Sequence, residues 1–533
     1  MISATRPVPA AAPSNASLSD PLRRRAQTDP DRLAIVDGDV QLTYGELSAR
    51  AESWARGLIA LGLRPGDVLT MQLPNWWEAA VVYQAAMIAG CVLNPVVPIY
   101  RERELGFIER QCAPRAVVVP HRFRGFDFAA MHCAIAADIE SNPLVIVVRP
   151  EGPIGDGAIT FDSVDAPGPP IATASAADDI CLLLYTSGTT ADPKGVLHSH
   201  RTITYEIESL IELCRLGRDD HVFMPSPVTH ITGYLLGLVM PALTGANVVF
   251  QDVWDPAAAV DLIERGACRF GVGATPFLHG LVEEYARRGQ GSVIDTYICG
   301  GADVPPTLIR TATALFDGFV SRVYGSSEFP TATCGRPGDP FEITADTDGL
   351  PIGPVECRLD DPDENGIGEL LLAGPDLFLG YLDPALNDAS FTADGFFRTG
   401  DLATIDASGA VTITGRKKDI ILRGGENISA KEVEDLLFEH PSVHEVAVVA
   451  MPDRILVERA CAFVVAEPGA TVTLASLIAH LEQHRLARQK LPERLELVDE
   501  LPKTPSGKVQ KFLLRDQIAA KLSTEAAVDQ RVR

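Results

Sequence analysis

The sequence has no apolar run of membrane-spanning length: its most apolar stretch, Ala79 to Leu93, is broken by Gln84 and Gly90. A membrane span is therefore not expected. Residues 1–20 are rich in Ala, Pro and Ser and lack the continuous apolar core of a signal peptide, so they read as a disordered lead-in. None of the 10 cysteines forms a Cys-x-x-Cys pair, which excludes a disulfide framework and a zinc site of the usual spacing and points to a reducing cytoplasm. His480 and His484 stand four apart in a predicted helix, but Glu482 lies one position later than the metalloprotease pattern requires. They read as exposed helix residues. Positive charge is scarce as well, with 46 Lys+Arg against 71 Asp+Glu and a formal net charge of -25. That balance opposes non-specific binding to nucleic acid or an anionic membrane surface. An anionic substrate must then be met by a local cluster of donors or a metal.

What is present is apolar and globular: 46% hydrophobic and 22% charged residues over 533 positions, too long for one ordinary core. From Arg32 to about Phe250 helical patterns (Tyr44 to Leu61, Trp76 to Ala89) alternate with β-branched runs (Ala116 to Val119, Leu144 to Val148), which predicts α/β layering with buried strands. A second α/β stretch is expected from Val253 to about Val323, with a helix over Asp255 to Arg265 and a strand end at Tyr297 to Cys299. Short strands and Gly/Pro/Asp turns between Pro340 and Thr414 predict a small, mostly β part. After Arg416-Lys417-Lys418-Asp419 a new unit is predicted, with helix Ala430 to Phe438, strands Val443 to Val449 and Cys461 to Val465, and helix Leu474 to Arg488.

Four segments carry chemistry. Tyr185 to Gly195 combines Ser/Thr hydroxyls, glycines and Lys194 after the apolar run Ile180 to Leu184, a composition that suits a polyphosphate. It is not a Walker loop, since the lysine precedes the glycine and follows Pro193; taken alone it is more often a polar turn. Tyr324-Gly325-Ser326-Ser327-Glu328 offers a stacking ring and a hard carboxylate ligand, or else a strand-end turn with a solvated acid. Asp401, in Thr399-Gly400-Asp401, can accept ribose hydroxyls, and Arg416 can add a donor; a turn acid and a basic linker are the plain alternatives. Lys508 lies in Pro505-Ser506-Gly507-Lys508, where a basic tail would look the same.

In this order and spacing, over roughly residues 30–515, the four segments resemble the adenylate-forming superfamily of acyl-CoA synthetases, peptide-synthetase adenylation domains and beetle luciferases. The resemblance implies an α/β fold: an N-terminal AMP-binding domain over 21–417, made of two α/β subdomains and a small β-barrel-like part, and a small mobile α+β domain over 418–533 hinged near Lys418. It implies a phosphate loop of Thr186, Ser187, Gly188, Thr189, Thr190 and Lys194, with Thr186 and Glu328 at Mg2+. Gly300, Gly301 and Ala302 would form the adenine-side strand end, with Tyr324, Gly325, Ser326 and Ser327 beside them, Asp401 and Arg416 at the ribose, and Lys508 bridging carboxylate and α-phosphate. His230 would stand at the carboxylate entrance of an acyl pocket with Gly233, Tyr234 and Ala274, and Gly424 and Gly425 would line a coenzyme A passage. The chain departs from the pattern at Ala191, where glycine is usual, Ser327, where threonine is usual, and Lys418, often aspartate.

The expected reaction is activation of a carboxylic acid by ATP to acyl-AMP and pyrophosphate, followed by transfer to coenzyme A. Catalysis would rest on Lys508, Glu328 and His230. No charged residue in the stretches around Thr229 to Leu235 and Ala274 would pair an amino group, which favours an apolar acid of medium chain, alicyclic or aromatic kind. The expected partners are that acid, ATP and coenzyme A, with no nucleic acid; a homodimer is compatible. A carrier protein or another non-CoA acceptor is the alternative. A nicotinamide oxidoreductase, suggested by Gly271-Val272-Gly273-Ala274-Thr275-Pro276, fails at Pro276, where a third glycine is needed. A binding protein without catalysis has no use for Lys508.

Overall fold

Helix Trp77–Ala89 has no polar face: every residue from Glu78 to Ala89 is buried. A helix apolar all round must be covered on all sides, and this one lies between two sheets. The cluster it joins takes Leu69 and Val118 from one sheet and Ile35, Val222 and Phe250 from the other. Its one buried acid, Glu78, is neutralised by two hydrogen bonds from Arg149, at 2.7 and 2.9 Å. The preceding helix, Tyr44–Ala60, starts in a capping box in which Glu46 N–H donates to Thr43 Oγ1 and Thr43 N–H donates to Glu46. In this computed structural model the described residues are 17–172, 175–186, 193–301, 304–423, 426–453, 455–484, 486–504 and 507–532.

The first sheet has seven strands, in the order Lys194–Ser199, Ile180–Thr186, Val92–Pro95, Val68–Met71, Ala116–Pro120, Leu144–Val148 and Ile159–Thr160. All pair in parallel except the first two, which are antiparallel and place Thr186 opposite Lys194. The second sheet has nine strands, and its parallel centre runs Phe319–Tyr324, Thr296–Gly300, Phe270–Gly273, His221–Met224, Asn247–Phe250, Leu33–Asp37. This corrects the expected division near Phe250. Strands Leu33–Asp37, His221–Met224 and Asn247–Phe250 belong with the later stretch, because Ile35 pairs with Val248 across more than two hundred residues.

The small β part is an antiparallel sheet of Glu356–Asp360, Gly368–Ala373, Phe397–Ile405 and Val411–Arg416, whose outer strands are not paired with each other among the described residues. It is open rather than barrel-like. Beyond the short turn Lys417–Asp419, a five-stranded sheet built around Val443–Asp453 and Val457–Ala466 packs helices Ala430–Phe438 and Leu474–Gln483. Its apolar clusters draw only on residues from Ile421 onward. Mixed α/β architecture, a large N-terminal domain and a small C-terminal one are thus in place.

Three local expectations are corrected. The helix from Leu474 ends at Gln483, not Arg488, because Leu481, Leu486 and Leu491 all turn onto the core at a spacing no helix supports. His480 is half-buried, its Nε2–H donating to the Leu436 carbonyl at 2.9 Å, while His484 is exposed. Residues 17–19, assigned to the lead-in, are buried, and Leu18 N–H donates to His200 Nδ1 at 3.2 Å. Among the described residues no helix is long and apolar enough to cross a membrane, and no group of three or more His, Cys, Asp and Glu is placed to hold a metal.

Candidate active site

A cavity of about 1100 Å³ opens where the ends of the two large sheets, the open β sheet and the C-terminal domain meet. Strand Ile180–Thr186 delivers Thr186 to it and the returning strand Lys194–Ser199 delivers Lys194, so both ends of the predicted phosphate loop face the cavity. Ser187, Gly188, Thr189, Thr190 and Ala191 lie outside the described residues, as do Ala302, Gly424 and Gly425. The Lys194 ammonium stands 5.2 Å from the centre of the Tyr381 ring. The Tyr381 hydroxyl in turn donates to Glu328 Oε1 at 2.7 Å.

Glu328 is set by the turn that ends strand Phe319–Tyr324. Ser326 N–H donates to the Phe329 carbonyl at 2.8 Å, and Ser326 Oγ accepts from the N–H groups of Glu328 and Phe329, both at 3.2 Å. The Ser327 carbonyl accepts from His198 Nε2–H at 2.8 Å. Burial pushes His198 down to about 4, so it is a neutral donor fixed in one tautomer. Gly300 and Gly301, closing strand Thr296–Gly300, line the same wall with Tyr324, Gly325, Ser326 and Ser327.

Tyr324, Asp401 and Arg416 form one unit. Asp401 and Arg416 are opposite residues of the antiparallel pair Phe397–Ile405 and Val411–Arg416, and Arg416 Nε lies 2.8 Å from Asp401 Oδ1. The Tyr324 hydroxyl donates to Asp401 Oδ2 at 2.7 Å, and burial, followed by the nearby Asp401 charge, keeps it protonated. Asp401 N–H donates to Thr399 Oγ1 at 3.0 Å. The carboxylate is thus oriented before any ligand arrives.

Lys508 comes from the other domain. Thr504 N–H donates to the Lys508 carbonyl at 2.7 Å and Lys508 N–H to Thr504 Oγ1 at 3.1 Å, a hairpin that carries Lys508 to the cavity. Beside it Gly507, at φ +80°, abuts the large domain so closely that a Cβ there would stand 2.7 Å from Pro276 Cγ. His230 faces this loop. Burial first, and the positive charge of Lys508 second, push its imidazole down to about 4, so it is neutral at physiological pH. Lys418, in the turn Lys417–Asp419, also lines the cavity and is pushed down to about 8 by burial and then by Arg416. Arg515 of the last helix anchors this turn through the Lys418 carbonyl at 3.2 Å and Asp419 at 3.1 Å.

The residues expected at the acyl pocket are placed differently from one another. His230 lines the cavity, but Gly233, Tyr234 and Ala274 do not. A Cβ on Gly233 would stand 2.2 Å from the Pro227 carbonyl oxygen, so that glycine serves backbone packing rather than ligand space. Tyr234 is fully buried with its ring edge-on to Tyr83 at 5.3 Å. Thr229, Ile231, Leu235, Leu236, Val272 and Thr331 are among the residues that line the cavity, and none of these six is charged. Tyr381, His198 and Thr331 escaped the sequence reading; none stands in a pattern that separates it from ordinary core residues.

Residues 22–382 match the family described as "AMP-binding enzyme", and residues 432–508 match "AMP-binding enzyme C-terminal domain". The medium-chain fatty-acid–CoA ligase of Escherichia coli is 34% identical over 522 residues, covering 96% of this chain and 92% of its own. The salicyl-AMP ligase / salicyl-S-ArCP synthetase of Mycobacterium tuberculosis is 34% identical over 526 residues, with 94% and 90% covered. The crystal structure of ATP-bound MatB from Rhodopseudomonas palustris superposes with a TM-score of 0.83 at 30% identity, covering 95% of this chain and 99% of that one.

Proposed function

We propose that this chain, which belongs to the AMP-binding family of adenylate-forming enzymes, is an acid–CoA ligase for a largely apolar carboxylic acid of medium-chain, alicyclic or aromatic kind. The supporting observation is that Lys508 of the small domain and His230 of the large one face each other in the cavity that also holds Thr186, Lys194, Glu328 and Asp401. In the first half-reaction the substrate carboxylate attacks the α-phosphate of ATP, giving acyl-AMP and pyrophosphate. Two anions must meet, and donors already in place lower that barrier without reorganising. Lys194 and the loop it closes would hold the β- and γ-phosphates, Asp401 the ribose, Tyr324 the adenine face, and Lys508 the oxygens of the carboxylate and α-phosphate. His230, kept neutral, can donate to the carboxylate without adding charge.

Thr186 and Glu328 would hold magnesium. One Glu328 oxygen is engaged by Tyr381, and no multi-residue acidic cage exists among the described residues. That suits an ion taking most of its ligands from phosphate and water. When bound it supplies charge neutralisation at the phosphates.

In the second half-reaction the thiol of coenzyme A attacks the acyl carbonyl and AMP leaves. Lys508 must withdraw, and the separate cores on either side of Lys417–Asp419 support rotation of a domain over 418–533 against one over 21–417. A cytoplasmic enzyme fits this use of soluble substrates. The test is pyrophosphate release across a panel of carboxylic acids, with thioester measured in the presence of coenzyme A. Release with apolar acids and coenzyme-dependent thioester is expected. Release without thioester would move the acceptor to a carrier protein, and preference for amino acids would overturn the substrate class.

A further inference from the structure

Arg322 and Asp348 form a buried ion pair to which the proposed chemistry gives no task. Arg322, in strand Phe319–Tyr324, is 5% exposed, and Asp348, just before the short strand Leu350–Pro351, is 7% exposed; both border the cavity. Arg322 donates to Asp348 Oδ1 from Nε at 3.1 Å and from Nη2 at 2.7 Å, and its Nη1 donates to the Ala345 carbonyl at 3.3 Å. The other carboxylate oxygen is engaged by a different part of the fold, since Asp348 Oδ2 accepts from Ile413 N–H at 2.8 Å. The backbone around the acid is fixed as well. Asp348 N–H donates to the Val411 carbonyl at 2.8 Å and Val411 N–H to the Gly349 carbonyl at 2.9 Å, while the Asp348 carbonyl accepts from Thr333 Oγ1 at 2.6 Å.

These contacts join two strands that carry cavity-facing residues. Arg322 and Tyr324 alternate with Val323 in one strand, so their side chains leave the same face of it. Ile413 belongs to strand Val411–Arg416, where it pairs with Ala403 as Arg416 pairs with Asp401. The two strands are thus tied at the cavity by the Tyr324 hydroxyl on Asp401, at 2.7 Å, and again behind it through Arg322, Asp348 and the Ile413 amide. Burying a charged pair adds little net stability over apolar side chains of similar volume. What it adds is direction: the planar guanidinium sets the angle of the carboxylate, and the free oxygen of that carboxylate sets the strand beyond it.

We propose that Arg322 and Asp348 are positioning residues for the nucleotide. They set strand Val411–Arg416 against strand Phe319–Tyr324, and so hold Asp401 and Arg416 at the distance from Tyr324 that a bound ribose requires. The role rests on reading Asp401 as the ribose acceptor. Neither residue touches the reacting atoms, so their loss should weaken nucleotide binding and leave the chemical step intact.

The test is Asp348→Asn. Its amide oxygen can accept as one carboxylate oxygen did, but its NH2 group meets a donor on the other side, so either the Arg322 or the Ile413 contact is lost. In ATP–pyrophosphate exchange KM for ATP should rise about 10-fold, with kcat at saturating ATP and KM for the acid changed by less than about 2-fold. A merely structural role gives the opposite split, because loss of folded enzyme lowers kcat and leaves KM where it was. Action through the ribose site is read by a double-mutant cycle: in an Asp401→Ala background, Asp348→Asn should raise KM for ATP no further. Hydrogen exchange supplies a readout free of activity, in which the Ile413 amide should exchange about 10-fold faster in Asp348→Asn. Arg322→Lys, which keeps the charge but not the fork, should show the same split at about 3-fold, and it serves where Asp348→Asn fails to fold. An unchanged KM for ATP, a fall in kcat alone, or full additivity with Asp401→Ala overturns the positioning role. An Ile413 amide that exchanges at the wild-type rate overturns the tie between the strands. If Asp401→Ala by itself leaves KM for ATP unchanged, it is the ribose reading that fails, and the exchange rate of Ile413 still decides the tie.

Discussion

Replacing Lys508 by alanine should divide the reaction at its midpoint. The lysine reaches the cavity only because the Thr504 hairpin presents it and Gly507 allows the loop to lie against Pro276. It therefore acts in the one domain arrangement that brings the two surfaces together. Its charge would meet the anion developing between carboxylate and α-phosphate, in a site where removing one such donor costs about 100- to 1,000-fold, or about 3–4 kcal/mol. ATP–pyrophosphate exchange should fall by that factor. Thioester formation from supplied acyl-AMP and coenzyme A should persist, since the lysine is rotated away in that step. The structure adds a readout free of catalysis. Lys508 is the second cause of the low His230 value, after burial, so its removal should move the His230 titration up from about 4, though not to that of a solvated imidazole. Nuclear magnetic resonance of the ring reports that shift, with circular dichroism as the control for folding. Near wild-type exchange together with an unmoved His230 would refute both the contact and the two-arrangement mechanism.

Asp401→Ala removes the acceptor shared by Tyr324 and Arg416 and should raise KM for ATP by about 10- to 100-fold with a smaller change in kcat, because ribose is held equally in ground and transition states; a large fall in kcat at constant KM would count against the ribose assignment. Lys418→Pro places proline in a 3₁₀ turn, a conformation whose usual φ proline can adopt, so adenylation should be spared while restricted rotation slows thioester formation by about 10-fold or more; equal loss of both half-reactions would remove the hinge. Gly233→Ala should lower stability by about 1–3 kcal/mol in urea titration, because its Cβ meets the Pro227 carbonyl oxygen, and leave the order of preferred acids unchanged. Leu236→Trp, at a lining position, should shift that order toward shorter acids; the reverse pattern between these two variants would return Gly233 to the pocket.

Elements with strong local patterns were legible in the sequence. Helices Tyr44–Ala60 and Ala430–Phe438 and strand Leu144–Val148 fall within a residue of their expected bounds, because periodicity and caps are written within a few positions. Sheet membership was not. Nothing near Leu33–Asp37 specifies Asn247–Phe250 as its partner; that choice is made by the cores on the two faces of the sheet. The site divides in the same way. The motif residues Thr186, Lys194, Tyr324, Glu328, Asp401, Arg416 and Lys508 all meet in one cavity, whereas Gly233 was misread because a glycine looks the same whether it clears space for a ligand or for a carbonyl. The residues that orient the motif segments, namely His198 and Tyr381, come from two separate segments, and each taken singly resembles a core residue. Their meaning lies in burial without charge compensation, which exists only once the segments are packed. It follows that variants altering the site without touching substrate should concentrate at such buried polar positions rather than in the motifs, since burial holds His198 neutral and Tyr381 protonated and so fixes the hydrogen bonds each can make.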